Sequence, residues 1–387
     1  MGNQLTLAVA GSRKTQGIVE HCASLSRERR VLVLTYTQAN QEELISRLKQ
    51  YAGDHHNIEM MGWFTFLLRH FARPFLPFKF AGKRVLGFNF DGRPHRMAIG
   101  IGRFLDSNGA AYGCELGRLA HELIAESKGA LQRRLECIYD EILIDEVQDL
   151  SAHDWEIIDV LLHSSIDIRM VGDIRQSVLA TNPRSSKNAK YSYAGAIKWA
   201  RERQSRGLLE ILESVTTWRC HPVIAKFSDS IFDPSWKFPE TQSKNETVTG
   251  HDGVFLVSTK YVTEYVRLFQ PQCLRHSISS GKAFDLDYLN FKVSKGMTYE
   301  RVLIIPTAPI AKFISSGTYL EANSASSFYV AVTRAKQSVA IVLDKAGTSS
   351  LPIWKPAVVT AEGMAPWGSI PSQSPECLIC SPSDVPN

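Results

Sequence analysis

Short apolar runs recur along the chain and alternate with stretches that have helical spacing. The runs occur at residues 5–11, 30–36, 141–146, 168–173, 253–258, 301–307 and 338–344. Several are apolar almost throughout, which is typical of strands covered by helices on both faces of a parallel sheet. Helical spacing appears at 41–51 and at 151–164, where Ser151 is the predicted N-cap. Because strand and helix alternate twice over, the sequence predicts an α/β fold with two lobes.

The length of the chain also favours two domains, because 387 residues exceed one ordinary core. We predict a first lobe over residues 1–205 with an insert at about 70–135, and a second lobe over 206–345. Seven of the 17 prolines fall in the last 36 residues, so a disordered tail is predicted over 346–387.

Composition indicates a soluble, cytoplasmic protein with no membrane partner. No apolar run approaches the length of a bilayer, and no apolar leader opens the sequence. The seven cysteines are scattered singly, except for Cys377 and Cys380, so a disulfide framework is not expected. That pair is either two free thiols or half of a metal site, since zinc needs four ligands.

Two basic stretches contain interleaved aromatic residues. From Arg69 to Arg103 there are eight Lys/Arg and one acid, and the stretch from Arg184 to Arg206 is also basic. The aromatic residues are Phe71, Phe75, Phe78, Phe80, Phe88 and Phe90 in the first stretch, and Tyr191, Tyr193 and Trp199 in the second. Cations and flat rings suit single-stranded nucleic acid. The alternative is a small subdomain with a phenylalanine core and solvated charges.

The first apolar run ends in AVAGSRKT, residues 8–15, which has the layout of a phosphate-binding loop. Backbone amides at the start of a helix cradle phosphates, a lysine reaches the outer phosphates, and a threonine ligates Mg²⁺. The predicted nucleotide contacts are Ala10, Gly11, Ser12, Arg13, Lys14 and Thr15. Arg13 stands where such loops normally carry glycine. The loop is therefore either a working site, in which Arg13 contacts the polyphosphate, or an impaired one.

Polar residues follow two more of the predicted strands, at the sheet edge where α/β folds bind ligands. Asp145 and Glu146 come after ILI, and we expect Asp145 to hold Mg²⁺ and Glu146 to polarise the attacking water. The alternative is an ordinary acidic strand end. Gln176 follows the strand of MVGDIRQS and is predicted to contact a γ-phosphate.

The ordered motifs resemble those of superfamily 1 helicases of the UvrD/Rep/PcrA type. In order they read AxAGSxKT, TYT, DEVQD, GDxRQS, WRxHP, SKGMTYE and YVAVTRAK, and they cover roughly residues 8–340. The resemblance implies an α/β fold with two RecA-like P-loop NTPase lobes, parallel sheets and a small helical insert in the first lobe. It also implies ATP and Mg²⁺ as cofactors, with hydrolysis at the interface of the lobes.

The resemblance assigns roles to further residues. Arg219 and Arg334 would be catalytic contacts to the γ-phosphate, with Arg334 as the arginine finger. Trp218 would stack on adenine and Gly296 would contact the nucleotide. The implied DNA contacts are Tyr36, Thr37, Phe64, Thr65 and Lys295.

The sequence departs from the family pattern at several points. Thr65-Phe66 replaces His-Ser, and Thr298 replaces a glutamate that contacts ribose. Val178-Leu179-Ala180 replaces aromatics that follow the Gln176 motif, and Tyr191 and Tyr193 are the candidates to compensate. The family also has a glutamine segment upstream of the loop and a large insert in the second lobe, and we expect neither here, because seven residues precede Ala8 and the stretch from Arg219 to Lys295 is short.

The leading hypothesis is an ATP-dependent DNA translocase or helicase with 3′→5′ direction, acting on single-stranded or partly duplex DNA. The rival is an ATP-binding regulatory or sensor subunit of a DNA-processing or anti-phage nuclease complex. Chains of this size and type resemble the helicase half of anti-phage pairs such as Gabija, which act beside an OLD-type nuclease. RNA is a lesser alternative substrate.

Overall fold

The computed structural model describes residues 2–179, 181–182 and 186–356. In that part of the chain, two six-stranded sheets form two lobes, and their strands pair in parallel throughout. The predicted α/β fold class with two parallel-sheet lobes is confirmed. Within the same ranges, no helix combines the length and the apolar character needed to cross a bilayer.

The first lobe carries the N-terminal sheet and the insert. Its strands are β1 (Gln4–Ala8), β2 (Val31–Thr35), β3 (Ile58–Gly62), β4 (Gly87–Asn89), β5 (Ala110–Tyr112), β6 (Glu141–Ile144), β7 (Asp167–Gly172) and β8 (Glu210–Ser214). Its helices are α1 (Lys14–Ser24), α2 (Gln38–Ala52), α3 (Trp63–Phe66), α4 (Arg73–Lys79), α5 (Gly113–Glu126), α6 (Ala130–Ile138), α7 (Asp154–Leu162) and α8 (Ala196–Ser205). The sheet order is β3-β2-β6-β7-β1-β8.

Alternate residues of β2 enter two different hydrophobic clusters. Val31 and Val33 pack with residues of α1 and α2, whereas Leu32 and Leu34 pack in the larger cluster that contains Trp155 of α7. Successive side chains of a strand point to opposite faces, so both faces of this sheet are covered. This explains why the run reads as apolar throughout.

The insert extends from the end of β3 to the start of β6 and includes α3 to α6 and the parallel pair β4–β5. It is therefore wider than the predicted 70–135 and is not purely helical. Phe71 and Phe75 are buried in the main cluster of the lobe, whereas Phe78 and Phe90 are 58% and 59% exposed. The basic stretch therefore has features of both alternatives: some of its phenylalanines form a core, and others are exposed and available for stacking.

The second lobe follows β8. Its strands are β9 (Thr216–Thr217), β10 (Gln242–Ser243), β11 (Gly253–Val257), β12 (Gln272–Arg275), β13 (Tyr288–Asn290), β14 (Tyr299–Ile304), β15 (Ala335–Val342) and β16 (Ile353–Trp354). Its helices are α9 (Pro222–Asp229), α10 (Val262–Phe269), α11 (Ala308–Ser316) and α12 (Ala322–Val332). The six-stranded sheet has the order β13-β12-β14-β15-β11-β16.

Both predicted lobe boundaries differ from those observed. β8 pairs with β1 in the first sheet, so the first lobe continues past residue 205. β16 pairs with β11, so the second lobe continues past residue 345 into the predicted tail. β8 and β16 are edge strands without the continuous apolar run of a central strand, which is why the sequence pattern does not reveal them.

Two smaller predictions are corrected. His153, not Ser151, is the N-cap of α7, because residues 152 and 153 form a turn, closed by the bond from the Asp154 amide to the Ser151 carbonyl, before the helix begins at Asp154. Tyr191 and Trp199 belong to the hydrophobic core of the first lobe, so the second basic stretch does not offer them for stacking. Ala180, Arg184 and the tail from residue 357 onward, with Cys377 and Cys380, lie outside the described residues.

Candidate nucleotide site and aromatic row

The loop between β1 and α1 turns through two residues in the left-handed region. Gly11 has φ 77° and Arg13 has φ 62°, and Arg13 is the N-cap of α1. A Cβ on Gly11 would lie 2.6 Å from the Cβ of Arg219, so glycine permits the close approach of the second lobe here. The Arg13 guanidinium lies 4.2 Å from the ring centre of Trp218, a cation–π contact to the segment after β9.

Two polar groups of the loop already have partners, and one does not. The Ala10 amide donates to the Tyr329 hydroxyl at 3.4 Å, and the Ser12 amide donates to the Val9 carbonyl at 3.3 Å. Ala10 is therefore not brought to the cavity, contrary to its predicted role. The Ser12 hydroxyl is buried and has no hydrogen-bond partner among the described residues. A buried orphan hydroxyl of this kind suits a ligand oxygen.

The two predicted acids follow β6 directly. The Asp145 carboxylate accepts the Glu146 amide at 2.9 Å, and Glu146 is left-handed with φ 53°. Burial, reinforced by the charge of Glu146, raises the pKa of Asp145 to about 7. Burial alone would also raise the pKa of Glu146, but Lys14 and Lys295 outweigh it and lower that pKa to about 2. The surroundings therefore favour the ionised form of Glu146 and disfavour the ionised form of Asp145.

Lys295 crosses from the second lobe to the acids of the first. Its Nζ lies 2.7 Å and 2.8 Å from the Asp149 carboxylate oxygens and 3.6 Å from Glu146 Oε2. Asp149 is buried, and a buried carboxylate requires a cationic partner. The predicted DNA contact of Lys295 is thus not what the structure shows, because the ammonium is held inside the cleft.

Arg334 and Gln176 meet across the lobes. Arg334 Nη2 donates to Gln176 Oε1 at 2.9 Å, and Gln176 Nε2 donates to Asp173 Oδ2 at 2.8 Å. The Tyr329 hydroxyl donates to the same Asp173 oxygen at 3.1 Å. Arg334 is fully buried, and this burial together with the charge of Arg219 lowers its pKa to about 10. Arg334 remains a cation at neutral pH and is held at the interface.

A cavity of about 900 Å³ lies between these groups and is lined by both lobes. The predicted site residues that line it are Gly11, Ser12, Arg13, Lys14, Thr15, Thr37, Glu146, Gln176, Arg219, Lys295, Gly296 and Arg334. Thr37, predicted to contact DNA, instead lines this cavity and caps α2 by accepting the Asn40 amide at 3.2 Å. Asp145 is buried outside the lining, and Trp218 is 49% exposed with Arg13 on its ring.

The donor set fits a magnesium nucleotide. The Thr15 hydroxyl, which lines the cavity, and the carboxylate of Asp145, which is buried next to Glu146, are hard oxygen ligands of the kind that Mg²⁺ prefers. Lys14, Arg219 and Arg334 supply cations toward the cavity, as a polyphosphate requires. The volume of the cavity is also within the usual range for small-molecule and cofactor sites.

Four rings form a connected series from the first sheet to the insert, which we call the aromatic row. The ring centroids of Tyr36 and Phe64 are 5.9 Å apart, and those of Phe64 and Phe90 are 5.2 Å apart. Phe90 and Phe88 stack at 5.1 Å with 28° between their planes. Thr65 is exposed next to Phe64. The predicted contacts Tyr36 and Phe64 thus continue into the insert through Phe90.

Some residues of the site were not given roles by the sequence. Three of them lie inside the helicase-like motifs, namely Asp149, Asp173 and Tyr329. Asp149 pairs with Lys295 and Asp173 with Tyr329, and these partners are too distant in the chain to be predicted from motif spacing. Phe88 and Phe90 carried only the general signal of aromatics in a basic stretch.

Comparison with known proteins finds one family model and solved structures to which this chain is similar. Residues 106–182 match the UvrD/REP helicase N-terminal domain, about a fifth of the chain, and include Asp145, Glu146 and Gln176. Arterivirus nonstructural protein 10, a helicase, is similar at 16% identity and TM-score 0.44, over 88% of this chain and 59% of that one. Its complex with DNA is similar at 15% identity and TM-score 0.44, over 88% of this chain and 61% of that one.

No curated protein matches the sequence. The chain spans about 60% of the length of the two solved structures it resembles. The segment 106–182, which holds the two acids and Gln176, is thus similar to the N-terminal domain of UvrD/REP helicases.

Proposed function

We propose that this protein is an ATP-dependent DNA translocase or helicase that hydrolyses ATP in the cavity between its lobes. The observation that carries the proposal is the cavity itself. It brings Lys14 and Glu146 of the first lobe together with Arg219 and Arg334 of the second. Phosphoryl transfer is catalysed mainly by positioning and by stabilising charge, and these four groups supply both.

The first lobe binds the phosphates and prepares the water. Lys14 contacts the outer phosphates, and the orphan hydroxyl of Ser12 donates to a phosphate oxygen. Glu146 is ionised and orients the attacking water, and Gln176 contacts the γ-phosphate. Thr15 and Asp145 would hold Mg²⁺, which neutralises charge on the phosphate oxygens when bound.

The second lobe senses the terminal phosphate. Arg219 and Arg334 stabilise the charge that develops on the transferred phosphoryl group. Arg334 is bonded to Gln176 at 2.9 Å, so the groups that contact the γ-phosphate from the two lobes are already coupled. Loss of the γ-phosphate removes the charge between them and allows the lobes to separate, which moves the protein along a bound strand.

Nucleic acid binds at the aromatic row, where bases stack on exposed rings, and the basic insert neutralises phosphates. Phe90 is 59% exposed, whereas the other three rings of the row are partly buried. We assign the 3′→5′ direction on the motif resemblance.

Phosphate release measured with single-stranded DNA, with RNA and with no nucleic acid tests this proposal. We expect stimulation by single-stranded DNA and loss of hydrolysis in Glu146→Gln, which keeps ATP binding. Glu43→Gln is the matched control, because Glu43 lines the same cavity but pairs with Arg47 at 2.6 Å. Hydrolysis that survives Glu146→Gln contradicts the assignment of this residue.

One observation favours a second candidate, an ATP-binding regulatory subunit of a nuclease complex. Lys295 is bonded to Asp149 and lies close to Glu146, so a cation already neutralises the acids of the site. Turnover that stays negligible with every nucleic acid, while ATP binds, would favour this candidate. An OLD-type nuclease partner and a role in antiviral defence remain predictions of the family resemblance.

A further inference from the structure

A second polar cluster lies where α5 of the insert meets α7 of the first lobe. His121 of α5, His153 at the N-cap of α7 and Glu156 of α7 have ligand atoms that all lie within 4.8 Å of one another. All three side chains are partly exposed, His121 being the most exposed at 38%. The proposed function makes no use of them.

The geometry of the cluster is that of ligands converging on one point. His153 Nδ1 lies 2.8 Å from Glu156 Oε2, and His121 Nδ1 lies 3.7 Å from the same oxygen. Ligand atoms of a tetrahedral zinc ion are about 3.3 Å apart, given metal–ligand distances of about 2.0–2.1 Å. The hydrogen-bonded separation between His153 and Glu156 would lengthen and the separation between His121 and Glu156 would shorten, each by about 0.4–0.5 Å, to complete the site.

The fold keeps these ligands together by a close approach of two helices. A Cβ on Gly117 of α5 would lie 2.9 Å from Asp154 Oδ1 and 3.9 Å from the His153 Cβ. Residues four apart share one face of a helix, so Gly117 places His121 directly over the first turn of α7. The His121 and His153 rings accordingly stack with centroids 5.4 Å apart.

The neighbouring charges do not prevent a cation from binding. Lys187 Nζ binds the other oxygen of Glu156, Oε1, at 2.7 Å, which leaves Oε2 to face the two imidazoles. Three arginines line the same cavity: Arg103 pairs with Glu115, Arg118 pairs with Glu122, and Arg93 is exposed to solvent, which screens its charge. The contact of Lys187 with one oxygen of Glu156 orients this carboxylate and leaves its other oxygen free to bind a metal.

We propose that His121, His153 and Glu156 form a site for a divalent transition metal, with Zn²⁺ as the expected ion. Two imidazoles and one carboxylate are ligands that zinc accepts, and three protein ligands leave a fourth position for water. His121 and His153 help to line a cavity of about 780 Å³, from which water can reach the ion. The metal ties the insert to the first lobe and leaves the nucleotide cavity untouched.

The test is zinc binding by the untagged full chain, stripped of metal and dialysed against Zn²⁺ in excess Mg²⁺. Magnesium is a poor competitor for imidazole, so it suppresses only oxygen-ligand sites. The assay uses the Cys377→Ser, Cys380→Ser background, because these cysteines are themselves capable of binding zinc. We expect one zinc ion per chain, a higher Tm with zinc, and visible d–d absorption bands when Co²⁺ replaces zinc.

Variants separate this site from adventitious binding. His121→Ala and Glu156→Gln are each expected to weaken zinc binding by at least about 100-fold, the upper end of what loss of a supporting contact costs. His163→Ala removes an exposed histidine beside the end of α7 and leaves binding unchanged. His121→Cys retains the metal and adds a thiolate-to-cobalt band in the near ultraviolet, which a role in ring stacking alone does not produce.

Either of two results overturns the proposal. One is a chain that binds no zinc above background. The other is zinc binding that is the same in Glu156→Gln as in the parent chain. The experiment is independent of ATP hydrolysis, so the proposed function and this site can fail separately.

Discussion

The nucleotide cavity and the aromatic row differ in how their chemistry is held. Arg334, Asp149 and Gln176 are buried, and each has a partner on the other lobe. Phe90 is 59% exposed, and its ring partners Phe64 and Phe88 belong to the same lobe. The cavity therefore exists only when both lobes are in place, whereas the row is a property of the first lobe alone. If the proposed function is correct, nucleotide chemistry and strand binding should be separable by mutation.

The largest expected effect is a loss of ATP turnover when the Arg334 guanidinium of the second lobe is removed. Arg334→Ala is expected to lower ATP turnover by about 10³–10⁵-fold, because it removes the charge that stabilises the transferred phosphoryl group. Binding of single-stranded DNA without nucleotide should stay unchanged, since the row is intact. Steady-state phosphate release and fluorescence anisotropy measure the two effects.

Arg267→Ala is the control, because Arg267 is an exposed arginine on α10 of the same lobe. An Arg334→Ala variant that loses DNA binding as much as turnover would show that the two regions are not separable.

The second-largest expected effect is a loss of DNA affinity when the aromatic row is changed. Phe90→Ala is expected to weaken single-stranded DNA binding by about 1–3 kcal/mol, the contribution of one stacked base. Phe78→Ala is a matched control, because Phe78 is equally exposed at 58% but its ring partner is the buried Phe75. Anisotropy titrations at constant salt compare the two variants.

ATP hydrolysis without DNA should be the same in both phenylalanine variants. Equal losses of affinity would mean that general aromatic exposure, and not the row, binds the strand.

The same contrast explains what could be predicted from the sequence. Asp145, Glu146 and Gln176 follow buried strands, and parallel strands place such residues at one edge of a sheet, so their meeting was predictable. The lobe sheets were predictable for the same reason, since central strands are apolar on both faces. The strands β8 and β16 were not predictable, because they are edge strands and lack the continuous apolar run of a central strand.

Contacts between distant segments set the rest of the site. Lys295 and Asp149 are 146 residues apart, and only the closed arrangement of the lobes reveals that one neutralises the other. Phe90 meets Phe64 because β4 returns the insert to the first turn after β3. Neither contact leaves a local periodicity, so the motifs predicted a DNA contact for Lys295, and Phe90 had only the general signal of an aromatic in a basic stretch.

A smaller effect concerns the acids of the cavity. The pKa of Asp145 is about 7, so a fall in pH from 8 to 6 protonates the carboxylate that would hold Mg²⁺. Metal binding requires the deprotonated form, and the apparent Mg²⁺ affinity should fall about tenfold over this range. Mg²⁺ titrations of ATP binding at several pH values measure it.

Asp145→Asn should bind Mg²⁺ more weakly and lose this pH dependence. Stacking of bases on the rings of the row involves no proton, so DNA binding by the row is expected to stay constant from pH 8 to 6 once ionic strength is fixed. A pH dependence that persists in Asp145→Asn would assign the titration to another group.

The smallest effect is conformational and lies in the loop of the cavity. Arg13 is left-handed with φ 62°, which costs a non-glycine residue about 1–2 kcal/mol. Its contact with Trp218 at 4.2 Å returns about 0.5–1 kcal/mol. Arg13→Ala keeps the strain and loses the contact, whereas Arg13→Gly loses both, so the glycine variant should be more stable than the alanine variant by about 1 kcal/mol. Urea unfolding of the two variants measures the difference, and equal stabilities would show that the loop relaxes without strain at this position.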